Sequence, residues 1–103
     1  MQAVGILEVF GLTCAFLAAD AGCKASNVSI ENLDKNKPGN ADELEVPLLV
    51  CIKFRGSVTD VEAAMEAAIA KANQVGGVVQ HHIIARPTED TEKMLKLNAF
   101  DKN

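Results

Sequence analysis

Two rhythms of apolar and polar positions alternate along this 103-residue chain. Ala3 to Phe10 is a short, mostly apolar run bounded by Gly11, which fits a buried strand. From Leu12 the period lengthens: Leu12, Ala15, Phe16, Ala19, Gly22 and Cys23 share one helical face, and Asp20 stands one turn before Lys24. Val28 to Leu33 begins a second strand, with Val28 and Ile30 on one side and Ser29 and Glu31 on the other. Asp34 to Pro47 concentrates Asp, Asn, Lys, Glu and the Pro38-Gly39-Asn40 turn signal, so it reads as a loop, and a long one for a compact domain. Leu48 to Phe54 alternates again as a third strand. Ser57 with Asp60 three residues later is an N-terminal capping pattern. Val61, Ala64, Met65, Ala68, Ile69 and Ala72 follow at helical spacing until Gly76-Gly77. Val78 to Ala85 is a fourth strand ended by Pro87, and Thr88 is positioned to cap a short helix carrying Met94 and Leu95.

The order is β-α-β-β-α-β with a C-terminal helix. It predicts an α+β, ferredoxin-like fold: a four-stranded antiparallel sheet with helices on one face, leaving the other face polar or bound to a partner. The length suits one domain with one core, spanning 1–103. With 49% apolar residues the chain folds, but four Phe and no Trp or Tyr leave little aromatic surface for stacking bases, sugars or flavins. A net charge of −4, with ten dispersed Lys and Arg, argues against nucleic acid as a partner. Glu8 and Asp20 interrupt the apolar N-terminal region, Gly5 and Gly11 break it, and no basic segment precedes it, so neither a signal peptide nor a membrane span is expected.

Several blocks then point one way. Ala3-Val4-Gly5-Ile6-Leu7-Glu8 with Gly11-Leu12, Ala18-Ala19-Asp20-Ala21, Lys24-Ala25-Ser26-Asn27-Val28, Phe54-Arg55-Gly56-Ser57-Val58 and Ile84-Ala85-Arg86-Pro87 occur in this order. Together they resemble the single-domain hexameric shell proteins of bacterial microcompartments, over a core of about residues 3–87, with a C-terminal helix and tail over 88–103. Any one block alone is weak.

The resemblance implies a structural subunit of a cytoplasmic bacterial microcompartment shell. Its partners would be five further copies in a homohexamer, other shell proteins, and encapsulated enzymes. It implies that Lys24, with Asn27, lies along the edge where hexamers tile, and that Arg86, held by Pro87, frames the pocket that receives the lysine. On spacing alone Lys24 pairs with Asp20 and Arg86 is a solvated strand end; the resemblance favours the edge reading. It also implies that the loop between the second and third strands lines a central pore. Here Asn36, Lys37, Pro38, Gly39 and Asn40 replace the family's short glycine-rich turn, and added residues include Asp42, Glu43 and Glu45. Three outcomes stay open: a loop folded over the axis, an acidic ring at its mouth that favours cations, or a surface loop away from it.

No other chemistry converges. Adjacent strand residues point to opposite faces, so His81 and His82 do not chelate one ion. Cys14, Cys23 and Cys51 form no metal-spaced cluster and read as small core hydrophobes. The iron-sulfur cluster that some shell proteins hold at the pore would need a Cys between Asn27 and Pro47, and there is none. Glu62 and Glu66 lie opposite an apolar stripe and read as solvated. No phosphate loop, nucleophile elbow or Ser/His/Asp order is present, so the expectation is no enzymatic activity, no metal and no cofactor. The alternative function is a small ferredoxin-like regulatory or ligand-binding oligomer, since element order alone does not separate the two.

Overall fold

The computed structural model describes residues 2–101. Four strands, β1 (Ala3–Phe10), β2 (Ser29–Asn36), β3 (Leu49–Gly56) and β4 (Val78–Ile84), form one antiparallel sheet in the order β2-β3-β1-β4. Helices α1 (Leu12–Ala25) and α2 (Val58–Val75) pack on one face, and the short α3 (Glu89–Leu95) follows β4. This is the α+β, ferredoxin-like arrangement that the pattern predicts.

The core lies between the sheet and the first two helices. Leu7, Val9, Val50, Ile52 and Phe54 meet Ala15, Ala18, Val61, Ala64 and Ala68, all fully buried. Small residues let α1 and α2 come close: a Cβ placed on Gly22 would stand 2.6 Å from the Phe54 ring and 3.2 Å from the Ala64 carbonyl. Helix α2 starts where expected, with Ser57 Oγ accepting from the Asp60 amide at 3.1 Å. It ends at Gly76, and Gly77 at φ 103° turns the chain into β4 in a conformation that other residues resist.

Three expectations are corrected. The buried stripe of α1 is Cys14, Ala15, Ala18 and Gly22, about a quarter-turn from the expected face. Phe16 is 57% exposed, and Cys23, expected in the core, is exposed too. The helix turns its smallest side chains toward α2 and Phe54, and that packing overrides the bulkier apolar face.

Strand β2 also runs further than expected. Asp34, Lys35 and Asn36 pair with Cys51, Val50 and Leu49, so Asn36 belongs to the strand and the loop proper is 37–48. Finally, the alternation in β2 breaks. The register shifts between Ile30 and Asn32, leaving Glu31 as the extra residue of a bulge. Ile30 stays opposite Phe54, while Glu31 and Asn32 both address the far face, reaching Arg55 and the Leu95 carbonyl.

That far face is where α3 lies. Thr88 caps α3, its Oγ1 accepting from the Thr91 amide at 3.2 Å. Below it, Lys53 and Arg55 are 6% and 7% exposed. Lys53 Nζ donates to the Leu95 and Leu97 carbonyls at 3.0 and 2.8 Å, supplying a cation to the helix C-terminus. Arg55 Nη2 donates to Glu92 at 2.6 Å.

Candidate functional site

The register fixes which chain segments share an end of the sheet. Ala3 pairs with Gly56 and Val4 with Ile84, so the start of β1 and the ends of β3 and β4 lie together. The C-terminus of α1 comes to the same end, with Ser26 Oγ donating to the Asp60 carbonyl at 2.6 Å. Asn27, exposed, follows this corner, and its carbonyl lies against Gly56. Lys24 and Arg86-Pro87 therefore emerge at one end of the domain. Lys24 is exposed and ion-paired with Asp20 at 2.8 Å, the local contact that its spacing suggested. Such exposed pairs are weak, so this one does not tie the lysine down. Arg86 is exposed while Pro87 is fully buried, which holds the strand-end corner rigid beneath a free guanidinium.

The opposite end carries the 37–48 loop. Asn36 pairs with Leu49, and Phe10 with Leu49 on the other side. An eight-residue strand spans roughly 25 Å, so the loop stands about that far from the lysine and arginine. The loop has its own turn: Ala41 N–H donates to Pro38 at 3.0 Å, Glu43 N–H to Asn40 at 2.9 Å and Leu44 N–H to Ala41 at 3.1 Å. Ala41 is buried and anchors this turn, whereas Lys37, Gly39, Asn40, Asp42, Glu43 and Glu45 are exposed. Leu44, Glu45 and Val46 return past Phe10 and Gly76, lining a cleft of about 240 Å³.

A second cleft, about 340 Å³, opens on the part of the far face that α3 leaves uncovered, lined by Ile6, Glu8, Cys51, Gln80, His81 and His82. Gln80 Nε2 donates to Glu8 at 3.0 Å. Burial pushes the Cys51 thiol up to about 11, so it is not primed as a nucleophile at neutral pH. His81 lies opposite Leu7 and His82 opposite Ile6, which turns the imidazoles to different faces. Among the described residues no group of three or more His, Cys, Asp and Glu is arranged to hold a metal, and no helix is long and apolar enough to cross a membrane.

Sequence reasoning missed the buried Lys53 and Arg55 and the half-buried Asn32 as the groups that fasten α3. The one signal was a Lys and an Arg two apart on a strand, which reads equally well as a solvated face.

A split βαβ sheet with a third helix clamped on its far face, a polar corner at one end and a long loop at the other defines the class of domain. Residues 3–87 match the family model of the BMC domain. The chain is 40% identical over 94 residues to the bacterial microcompartment shell protein PduA of Salmonella typhimurium, covering 91% of this chain and 90% of that protein. It is 36% identical over 97 residues to the carboxysome shell protein CcmK2 of Synechococcus elongatus, covering 92% and 86%. A microcompartment protein from Desulfitobacterium hafniense shares the fold, with a TM-score of 0.73 at 20% identity; the match covers 96% of this chain and about half (49%) of that one. The chain belongs to the BMC-domain family of bacterial microcompartment shell proteins.

Proposed function

We propose that the chain is a single shell domain over 1–103, with its core in 3–87, that closes into a homohexamer and tiles edge to edge into a protein sheet. Lys24 and Asn27 lie along the neighbouring hexamer, and Arg86, braced by Pro87, frames the pocket that receives them. An arginine offers several donors in a fixed fork and a lysine a compact charge on a flexible stem, which suits rim contacts to backbone carbonyls. Many weak edges sum to a strong sheet by multivalency. The 37–48 loop stands at the central pore, where Asp42, Glu43 and Glu45, repeated around the ring, favour cations over anions through a field that salt weakens. On this reading the chain performs no reaction of its own. It meets other shell proteins at its edges and encapsulated enzymes at its inner face.

The observation that carries the reading is the separation of the two groups. The exposed Lys24 and Arg86 share one end of the sheet, and the acidic loop occupies the other, as a tile with an outer rim and a central axis requires. Replacing Lys24 by Ala tests it: by light scattering and particle imaging, hexamers should persist while extended sheets disappear. Loss of the hexamer itself, or sheets as abundant as those of the unaltered protein, refutes the assignment of Lys24.

A further inference from the structure

The residues that follow α3 wrap the edge strand at the point where the loop departs. Asp34 and Lys35 are the two residues before Asn36, the last paired residue of β2, and both are gripped by the tail. The Ala99 amide donates to Asp34 Oδ1 at 2.8 Å, on the far face of the sheet. The next residue, Phe100, crosses to the helical side, where its ring lies under Lys35 Nζ at 5.1 Å and beside Leu12, Phe16 and Leu33. Asp34 also stands 3.9 Å from Lys53 Nζ, the group that holds the Leu95 and Leu97 carbonyls. Lys35, Asn36, Lys37 and Leu48 at the base of the loop line one cleft with Ala99 and Phe100.

From this we infer that the C-terminal segment is a strap that sets the position of the 37–48 loop by clamping the end of β2 from both faces. Phe16, left exposed by the packing of α1 against α2, and the part-buried Leu12 supply the apolar seat for the strap. Asp34 supplies the polar one. Release of Phe100 or Ala99 frees Asp34 and Lys35 to part from β3, and the turn built on Pro38 and Ala41 loosens with them. A partner that captures the tail would thereby act on the loop, a coupling that works equally in the reverse direction. The strap is a property of the chain itself; its effect on permeation rests on the pore reading proposed above.

Amide hydrogen exchange on the full chain tests it, with no pore or assembled sheet required. Two variants, Phe100→Ala and Ala99→Pro, cut the strap separately, the second by removing the N–H that reaches Asp34 at the first residue of a short helical turn, where a proline ring is tolerated. Each should speed exchange at Ala41, Glu43 and Leu44 by roughly threefold to tenfold, the range expected for loss of one such contact, while the amides of α2 keep their protection. Faster exchange in the tail with unchanged rates at Ala41, Glu43 and Leu44 in both variants overturns the inference. Should Phe100→Ala also loosen α2, Ala99→Pro decides, because the contact it removes, the Ala99 N–H on Asp34, is made on the face of the sheet away from α2. If the loop loosens and passage through assembled sheets is unaltered, the strap stands and the pore reading falls.

Discussion

Beneath α1 and α2 the sheet is closed by shape: Gly22 and the alanines Ala15, Ala18, Ala64 and Ala68 bring two helices down onto Phe54, Ile52 and Leu7 with no polar side chain between them. Beneath α3 it is closed by direction, through Lys53 on two carbonyls, Asn32 on the Leu95 carbonyl and Arg55 on Glu92. Apolar contact gains with area and tolerates sliding, whereas a hydrogen-bonded cation fixes one position and costs free energy when it is left unmatched. The match is incomplete here, since Arg55 Nε and Nη1 and Asn32 Oδ1 are buried without a hydrogen-bond partner. Buried charge of this kind specifies geometry more than it adds stability. The helical face thus holds the fold, and the far face orients the C-terminal segment that reaches the loop.

Phe54→Ala should break the first side of this comparison. The ring is fully buried, and Gly22 leaves no side chain able to fill the space. The expected loss is about 3–5 kcal/mol, read as a lower denaturant midpoint with an unchanged slope. A loss under about 1 kcal/mol would mean that the helices settle into the cavity and that close approach at Gly22 is not what holds them.

Lys53→Ala and Lys53→Met sharpen the second side. Both remove the ammonium from the Leu95 and Leu97 carbonyls, but methionine keeps most of the apolar stem. Each should cost about 1–3 kcal/mol, with protection lost in α3 and the tail first and in α2 last. If Lys53→Met keeps the stability of the unaltered protein while Lys53→Ala does not, the stem packs α3 and the charge is incidental.

The helical face was legible in the chain because its signals are local and redundant. Ser57 with Asp60, the Ala64-Ala68-Ala72 spacing and the Gly76-Gly77 stop all point to one helix, and β1 and β3 carry uninterrupted apolar faces. The β2 bulge was not legible: a single extra residue at Glu31 has no signature in a strand already mixed in polarity. Asp34 to Asn36 read as loop for a related reason, since edge strands carry the same polar residues as turns. Lys53 and Arg55 were hidden because a buried cation is recognised by its partners, and these partners, the Leu95 carbonyl and Glu92, lie about forty residues away in sequence. The blocks holding Lys24 and Arg86-Pro87 were visible at once. That they share one end of the sheet, with the loop at the other, follows from strand register and not from spacing.

The smallest effect expected is electrostatic. The hydrogen bond from Arg55 holds the Glu92 carboxyl below its ordinary range. The unfolded chain, with Glu92 at its ordinary value, therefore binds the proton more readily, and over that window stability rises with pH. The contribution is complete above the ordinary glutamate range and is lost as pH falls through the lowered native value. Because the pair is part-exposed, with side-chain exposures of 8% and 28%, salt should reduce the effect. An acid titration followed at the α3 amides should show protection falling in that window, and Glu92→Gln should flatten this step while leaving the titration of α1 and α2 unchanged. A step that survives in Glu92→Gln would mean that the Arg55–Glu92 pair is not what holds α3, leaving the contacts from β2, Glu31 on Arg55 and Asp34 on Lys53, as its main fastening. The far face would then be held from β2 more than from α3 itself, and the direction of the clamp would be reversed.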